Sequence, residues 1–352
     1  MRVRIRVVQA RSLIEWYRKH ARALPWRQEP RDPYQVLVSE VMLQQTQVDR
    51  VEPRFRSFVR RFQGFEELAR ASEEEVLSEW SGLGYYRRAR MLHQLAKQVT
   101  ERTDGLPRTA EDLEKMPGIG PYTAAAVASL AFSAEAPVID GNVIRVGARV
   151  NADAVDPRSA EGHRRLKSWI LNLMQNEKPG EVNEALMELG ATVCVPVDPA
   201  CGRCPFVSIC EAKKLGRQRE FPAPRKRRAT TSLSWVATCI IDGDSMWLVR
   251  RIDDGPILRG LWLPPLAELE TDADPVREAI RQLPIDVTSA PGPGTIVRHN
   301  ITHRKIDVVP FRFDVSSFEP AGDEWRWVDP NNPGIPTSSL LQKLVNAVLD
   351  ES

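Results

Sequence analysis

The chain has 352 residues and a mass of 39.7 kDa, enough for two or three domains of about 100–200 residues each. A composition of 42% hydrophobic and 27% charged residues excludes a collagen-like or wholly disordered chain, while a net charge of +2 excludes nothing. No apolar run approaches the roughly 20 residues of a membrane helix, and the basic N-terminus lacks the apolar core of a signal peptide. We therefore expect a soluble intracellular protein without a membrane partner.

The small net charge conceals a difference between two parts of the chain. Residues 1–230 carry 38 basic and 29 acidic side chains, a net of +9, whereas residues 231–352 carry 11 basic and 18 acidic side chains, a net of −7. This division suggests that only the first part faces a polyanion. Basic residues also cluster between 213 and 228, where a solvated linker is the alternative interpretation.

The first part of the chain is predicted to be helical. Between residues 9 and 192, apolar residues recur at three- and four-residue spacing, and Ser72 and Thr109 are expected helix caps. In the helix around 34–48, Glu40 falls on the apolar face. Apolar surroundings raise the pKa of a carboxyl group, as a general acid at neutral pH requires. An ion pair between Glu40 and an arginine of the N-terminal segment is the alternative.

Two turns follow in the same part. Residues 117–120 read Pro-Gly-Ile-Gly between two helices, and Gly118 and Gly120 would let backbone N–H groups approach a phosphate closely. A helix–turn–helix without a ligand is the alternative interpretation of this segment. Asp140 and Gly141 then lie between apolar segments, a pattern that taken alone is usually just a turn.

Four of the five cysteines, Cys194, Cys201, Cys204 and Cys210, fall within 17 residues. Disulfides are not expected in a cytosolic chain, whereas thiolates at this spacing can converge on one metal centre. The spacing alone does not choose between zinc and an iron–sulfur cluster. The fifth cysteine, Cys239, lies in an apolar segment and is expected in the core.

After residue 230 the sequence changes to segments rich in β-branched and aromatic residues, which predict strands. The segments with this pattern are LSWVATCII, MWLVRR, TIVRH, DVVPFRFDV and EWRWV. Helices are predicted at 275–283 and 338–349. A basic, proline-containing stretch at 221–230 marks the expected domain boundary.

These features together resemble the helix–hairpin–helix DNA glycosylase superfamily that carries a [4Fe–4S] cluster. The resemblance covers residues 20–212 and rests on the Pro-Gly-Ile-Gly hairpin, Asp140 and the four spaced cysteines. Within the superfamily, further segments are similar to the adenine DNA glycosylases of the MutY family: ALPWR (23–27), SEVMLQQTQV (39–48), GLGYYRRAR (82–90), VIDGNVIRV (138–146) and NEALMELGATVC (183–194).

The resemblance implies an all-α, two-lobed glycosylase domain over residues 1–220, then a basic linker at 221–230 and an α+β Nudix-like domain over residues 231–352. The helical domain is expected to contain a six-helix barrel at about 25–132 and a cluster lobe formed by 1–24 and 133–220. The four clustered cysteines would hold the [4Fe–4S] cluster in that lobe. Duplex DNA is expected to lie across the cleft between the two lobes.

The family's reaction is removal of adenine mispaired with 8-oxoguanine or guanine, after the adenine is flipped out of the duplex. By resemblance, Glu40 would protonate the departing adenine and Asp140 would stabilise the oxocarbenium-like sugar. Tyr122 and Asn142 would support the Asp140 carboxylate. Bifunctional relatives carry a nucleophilic lysine at the position of Tyr122, so a monofunctional enzyme without an efficient lyase step is expected.

Further positions match family residues around the DNA. The expected adenine pocket consists of Arg22, Trp26, Leu43 and Glu184. Gln45 and Tyr85 are expected beside the orphaned 8-oxoguanine, and Gly118 and Gly120 at a phosphate. A monomer acting on duplex DNA in the cytoplasm, at the nucleoid, is expected.

The sequence departs from the family pattern in two places. The segment VPVDPA between Cys194 and Cys201 contains no basic residue, so contact of this loop with a phosphate is not expected. Ile301-Thr302-His303 stands where the family has Phe-Ser-His. Thr302 and His303 would read the lesion with altered affinity, or the mispair preference differs.

The predicted helix at 275–283 lacks the clustered carboxylates that bind Mg²⁺ in Nudix hydrolases, so pyrophosphatase activity is not expected. Two other functions compete with adenine removal. One is a related glycosylase for a damaged pyrimidine, which Glu40 and the missing hairpin lysine disfavour. The other is a non-catalytic, cluster-bearing DNA-binding or redox-sensing protein.

Overall fold

The structure, a computed structural model, describes residues 2–223, 230–251, 257–283, 293–301, 303–315 and 324–349. Its contacts divide the chain into two compact units, one of Met1–Ala71 with Arg87–Lys226 and one of Ser72–Tyr86 with Arg227–Ser352. The sequence analysis placed residues 72–86 in the helical domain, whereas their contacts group them with the C-terminal unit. Within the described ranges, no helix combines the length and apolar character needed to cross a membrane.

The first unit is built from helices, with a longer segment that carries the four clustered cysteines between the last two. In chain order these helices are α1 (Arg2–His20), α2 (Pro33–Leu43), α3 (Val48–Arg61), α4 (Phe65–Arg70), α6 (Arg87–Glu101), α7 (Ala110–Leu113), α8 (Pro121–Phe132), α9 (Gly141–Asn151), α10 (Ala160–Met174), α11 (Pro179–Thr192) and α12 (Glu211–Lys214). Helix α5 (Glu73–Glu79) belongs to the second unit.

Side-chain caps fix where several helices begin. Ser72 and Glu75 form a reciprocal capping box at α5, and the Thr109 side chain accepts a hydrogen bond from the Asp112 N–H at α7, as the sequence predicted. Asp32 caps α2 by accepting from the Tyr34 N–H, and Pro33 follows as the first helical residue. Asp140 caps α9 in the same way. The start of α9 is therefore defined by a carboxylate of the expected site.

Helix α2 runs through the interior of the first unit. It packs against α3, α6 and α8, and its residues from Val36 to Met42 are all buried. A second core joins α1, α9, α10 and α11 through residues such as Leu13, Ile170 and Leu189. Glu40, which lies in this buried stretch, is therefore withdrawn from water.

The second unit contains a mixed seven-stranded sheet. Its strands are β1 (Thr231–Asp242), β2 (Ser245–Arg250), β3 (Trp262–Leu263), β4 (Leu266–Glu268), β5 (Val297–Ile301), β6 (Arg304–Asp314) and β7 (Trp325–Val328). The main order is β3-β2-β1-β6-β5, while β4 also pairs with β1 and β7 with β2. Strands β1 and β6 run parallel from Thr231 opposite Arg304 to Ile241 opposite Asp314, and the other pairs are antiparallel.

Two helices lie on opposite faces of this sheet. Alternate residues of β1 contribute to two separate cores, because successive side chains point to opposite faces of a strand. One core includes Cys239 and α14 (Ser339–Leu349), and the other includes Ile240 and α13 (Pro275–Arg281). The five predicted strands, the two helices and the core position of Cys239 are thus confirmed. The short strands β3 and β4 were not predicted.

Helix α5 and the turn after it contact this sheet within the second unit. Arg326 of β7 donates to the Glu74 carboxylate at 2.6 Å and stacks over the Trp262 ring. The Tyr86 hydroxyl donates to the Thr337 carbonyl. The ion pair is partly exposed, so it contributes little to stability by itself. It does explain why residues 72–86 group with the C-terminal strands.

Candidate active site and cysteine cluster

A carboxyl group is buried inside the helical unit. Glu40 lies on α2 and is only 4% exposed, and the Tyr122 hydroxyl of α8 donates a hydrogen bond to its Oε2 at 2.8 Å. Burial raises the pKa of Glu40 to about 7 against the opposing effect of the Tyr122 hydrogen bond, and the charges of Glu184 and Asp140 raise it further. Glu40 can therefore hold and release a proton near neutral pH, as the sequence analysis required of a general acid.

A second carboxyl group, that of Asp140, is held in a different way. Its Oδ1 accepts a hydrogen bond from the Val143 N–H at 2.7 Å, and its Oδ2 accepts one from Asn142 Nδ2 at 3.0 Å. Burial raises the pKa of Asp140, whereas these hydrogen bonds and the charge of Arg145 oppose the rise. The N-terminus of α9 also favours a negative charge at this position. Two neighbouring carboxyl groups thus differ in what stabilises their ionised forms.

The partner of Tyr122 differs from the expected one. The sequence analysis assigned Tyr122 and Asn142 to the support of Asp140, but only Asn142 contacts that carboxylate by a hydrogen bond described in the structure. Helix α8 packs against α2, so the Tyr122 hydroxyl meets Glu40 instead, with Met187 Sδ 3.7 Å away. Burial raises the pKa of Tyr122 well above its usual value of 10, which keeps the hydroxyl protonated as a donor.

The hairpin before α8 requires glycine at one position for two reasons. Gly118 has φ +74°, and a Cβ there would lie 2.4 Å from the Met91 Cβ. Gly120 caps α8 and Pro121 occupies its first turn. The hairpin therefore leaves the N-terminus of α8 formed by backbone alone, the arrangement expected for a phosphate anchor.

The expected adenine-pocket residues are held mainly by ion pairs. The Glu184 carboxylate accepts from Arg31 Nη2 at 2.6 Å and from the Tyr17 hydroxyl at 3.0 Å. Arg22 donates to Glu188 at 2.7 and 3.0 Å. Trp26 is buried with its ring edge-on to Phe55, while Leu43 is half-buried at the end of α2. Of these residues, Glu184 lies near enough to raise the pKa of Glu40.

The two residues expected beside the lesion share an unusual backbone conformation. Gln45 has φ +58° and Tyr85 has φ +50°, the left-handed region that few non-glycine residues adopt. Both side chains are exposed, Tyr85 to 43%. Strain of this kind persists where the surrounding structure enforces it, often at binding sites. Thr302 lies outside the described residues, and the neighbouring His303 accepts a hydrogen bond from the Thr231 N–H at its carbonyl.

The four clustered cysteines line one small cavity of about 20 Å³. Arg149 Nη1 donates to Cys194 Sγ at 3.5 Å, the Cys210 thiol donates to the Arg149 carbonyl at 3.4 Å, and Gln218 Nε2 lies 3.8 Å from Cys201 Sγ. Among the described residues, no three Cys, His, Asp or Glu side chains are arranged to hold a single metal ion. The thiols thus surround a shared space instead of converging on one point.

Comparison with known proteins agrees with this architecture. A family model described as HhH-GPD superfamily base excision DNA repair protein matches residues 38–172, and a NUDIX domain model matches residues 236–347. The adenine DNA glycosylase of Mycolicibacterium smegmatis is 42% identical over 213 residues, covering 60% of this chain and 70% of that protein. That of Mycobacterium tuberculosis is 41% identical over 224 residues, covering 62% and 72%.

The chain belongs to the adenine DNA glycosylase family. The family member of Rattus norvegicus is 37% identical over 342 residues, covering 82% of this chain. The chain spans 66% of the length of that relative and 62% of the human one. Among solved structures, a thermostable thymine-DNA glycosylase matches with a TM-score of 0.54 and 28% identity, covering 60% of this chain and 97% of that one.

The sequence analysis missed several residues that hold this family's motifs in place. Asn183 is fully buried; its side chain accepts from the Val138 N–H and donates to Ser129 Oγ and the Ala136 carbonyl. It thereby fixes the segment that leads to Asp140. Glu188, fully buried, binds Arg22 and Arg27. The four-residue spacing of Glu184 and Glu188 on α11 was the available indication of this network.

Burial of Glu40 predicts a pH-dependent effect on stability. The folded pKa of Glu40, about 7, exceeds the ordinary value of 4.5, so wild-type stability is highest while the group is protonated and falls as pH rises from about 4.5 to 7. Glu40→Gln removes this loss, and we expect it to raise the free energy of unfolding by on the order of 3 kcal/mol at pH 8. The gain should be much smaller at pH 5.

Urea unfolding at both pH values measures the difference. Glu111→Gln, which changes an exposed carboxylate on α7, serves as the matched control and should show no such pH dependence. Equal gains for Glu40→Gln at pH 5 and pH 8 would contradict the assigned burial cost.

Proposed function

We propose that the protein is a monofunctional adenine DNA glycosylase that removes adenine paired with 8-oxoguanine, and also with guanine, from duplex DNA. The observation that carries the proposal is the pair of unlike carboxyl groups, Glu40 and Asp140, in one interior site. Family membership and the helix–hairpin–helix element support the reaction class. The protein is proposed to act as a monomer in the cytoplasm, at the nucleoid.

The two carboxyl groups have complementary roles in breaking the N-glycosidic bond. The protonated Glu40 donates its proton to a ring nitrogen of the flipped adenine as the bond to C1′ breaks, so the base leaves as a neutral molecule. Ionised Asp140, held by Asn142 and the Val143 N–H, stabilises the positive charge that develops on the sugar. Glu40, now ionised, accepts a proton from the water that attacks C1′. Glu40 is thereby protonated again for the next turnover.

The absence of a lysine from the relevant part of the sequence supports a monofunctional reaction. A lyase step needs an amine that forms a Schiff base with the sugar, and no lysine lies between Lys115 and Lys167. The Tyr122 hydroxyl instead donates a hydrogen bond to Glu40. The hydrogen bond orients the Glu40 carboxyl group and stabilises it after proton transfer.

We further propose that Cys194, Cys201, Cys204 and Cys210 hold a [4Fe–4S] cluster. Four thiols that line one space, and among the described residues are not arranged around a single ion, are the donor set of a multi-atom cluster. Arg149 is 3% exposed, and its side-chain donors bind carbonyl oxygens and Cys194 Sγ. A buried cation of this kind is compensated by an anionic cluster. When bound, the cluster would cross-link residues 194–210 and supply a redox-active centre.

The DNA partner would be gripped mainly by the basic first part of the chain. The hairpin around Gly118 and Gly120 offers backbone N–H groups to a phosphate, a contact that positions the duplex without reading its sequence. Gln45 and Tyr85 are proposed to contact the base opposite the adenine. Thr302 and His303 of the C-terminal domain are proposed to recognise the 8-oxoguanine.

The substrate is tested by single-turnover excision on duplexes that carry adenine opposite 8-oxoguanine, opposite guanine and opposite thymine. We expect adenine release in the first two, leaving an abasic site without strand cleavage, and Glu40→Gln should slow release by about 10²- to 10⁴-fold because the proton donor is lost. The Glu111→Gln control should excise normally. Release of thymine or a damaged pyrimidine without adenine release would point to the rival glycosylase, and unslowed turnover by Glu40→Gln would remove Glu40 from the mechanism.

The pH dependence of excision tests the role of Glu40. Because Glu40 must be protonated to act, the single-turnover rate constant should fall as pH rises through about 7. Tyr122→Phe removes a hydrogen bond that favours the ionised carboxylate, so this variant should shift the fall to higher pH. Rate measurements from pH 5.5 to 9 provide the check. A shift of Tyr122→Phe to lower pH would contradict the assigned hydrogen bond.

The cluster is tested by iron and sulfide analysis of the purified protein together with visible absorbance. About four irons per chain and broad absorbance near the blue edge of the visible are expected for this cluster type. Cys204→Ser should reduce the iron content, whereas Cys239→Ser, which changes the fifth cysteine within the sheet core, should not. Stoichiometric zinc without iron would overturn the cluster assignment.

A further inference from the structure

The turn that carries Gln45 is held by a single arginine from another helix. Arg88 lies in the first turn of α6, and its Nη1 is within hydrogen-bond distance of the carbonyl oxygens of Val41 (2.9 Å), Met42 (2.9 Å) and Gln44 (2.6 Å). Its Nη2 donates to Thr46 Oγ1 at 3.1 Å. One guanidinium group therefore contacts residues on both sides of Gln45.

These contacts lie at the C-terminal end of α2, where backbone carbonyl groups lack partners within the helix. The last carbonyls of a helix have no partner within it, and α2 ends at Leu43. Gln45 then takes φ +58°, a conformation that a glutamine does not adopt without support from its surroundings. The planar guanidinium holds its two Nη groups at a fixed separation, so Nη1 can bind the end of α2 while Nη2 binds Thr46, whereas a lysine offers a single nitrogen. The neighbouring Gln44 is anchored separately, by donation from its Nε2 to Thr123 Oγ1 at 2.9 Å.

We propose that Arg88 is the positioning residue for Gln45: by binding the end of α2 and Thr46, it holds the 44–46 turn in the left-handed geometry that presents Gln45 to the base opposite the adenine. This inference rests on the proposed function. Arg88 itself touches neither the adenine nor its partner base in this assignment. Its effect passes through Gln45, so it should alter the choice between 8-oxoguanine and guanine.

A double-mutant cycle with Arg88→Lys and Gln45→Ala tests the proposal. The readout is the ratio of single-turnover rate constants for adenine opposite 8-oxoguanine and opposite guanine. A general loss of stability lowers both rate constants together and leaves the ratio unchanged. We expect each single variant to lower the ratio about five- to tenfold, and the double variant to lower it no further than Gln45→Ala alone.

Arg102→Lys is the matched control, because this arginine lies just past the other end of α6 and pairs with Asp104 at the surface. Its ratio should equal that of the wild type. Hydrogen exchange of a peptide covering residues 43–48 should be faster in Arg88→Lys and unchanged in Arg102→Lys. Should Arg88→Lys fail to fold, Thr46→Val, which removes the acceptor of Nη2, should give a smaller decrease of the ratio that Gln45→Ala again masks.

An unchanged ratio in an active Arg88→Lys variant overturns the inference, as do fully additive losses in the double variant. Absence of adenine release by the wild-type protein opposite either base overturns the proposed function and this inference together. The failure of the inference alone is thus distinguishable from failure of the function on which it rests.

Discussion

A carboxyl group buried in the middle of a helical core is the constraint on which the site depends. Withdrawing Glu40 from water disfavours its charged form, and among the described residues the hydrogen bond to its carboxyl group comes from a neutral donor, the Tyr122 hydroxyl, instead of an arginine. A close ion pair would have stabilised the fold at neutral pH but would have kept Glu40 ionised and useless as an acid. Arg27, whose charge lowers the pKa of Glu40, is itself paired with Glu184 and Glu188, and Arg31 is paired with Glu184. The fold thus accepts lower stability to keep one proton available.

Helix α9 connects the other carboxyl group to the cysteine cavity. Asp140 caps its first turn, Arg145 bridges Asn142 Oδ1 and the Cys194 carbonyl, and Arg149 reaches Cys194 Sγ. Helix α11 approaches the start of α9 so closely that a Cβ at Gly190 would lie 2.5 Å from the Asn142 Cβ. Contacts to the cysteine segment therefore hold both ends of α9, and the position of Asp140 depends on how that segment is folded.

The sequence predicted features that depend on local pattern. The burial of Glu40 followed from helical spacing, the caps Ser72 and Thr109 from their neighbours, and the strands from composition. It could not predict partners that meet only after folding. Whether Tyr122 contacts Asp140 or Glu40 depends on how α8 packs on α2, and Arg88 meets Gln44 across 44 residues of sequence. The role of Asn183 could not be predicted either, since an asparagine within a helical segment gives no local indication of three distant hydrogen-bond partners.

The net charge of the first part of the chain overstates the number of arginines that are available to DNA, because some of them are engaged within the protein. Several arginines of the basic part are engaged within the protein: Arg22 and Arg27 are paired with Glu188, while Arg88, Arg145 and Arg149 bind backbone carbonyls. The first group is neutralised locally and adds little to a field that attracts DNA. The second group binds backbone carbonyls, so each of its arginines holds a helix end or a loop as well as carrying a charge. A substitution that removes one of these arginines therefore alters the local fold of the helical unit as well as its charge.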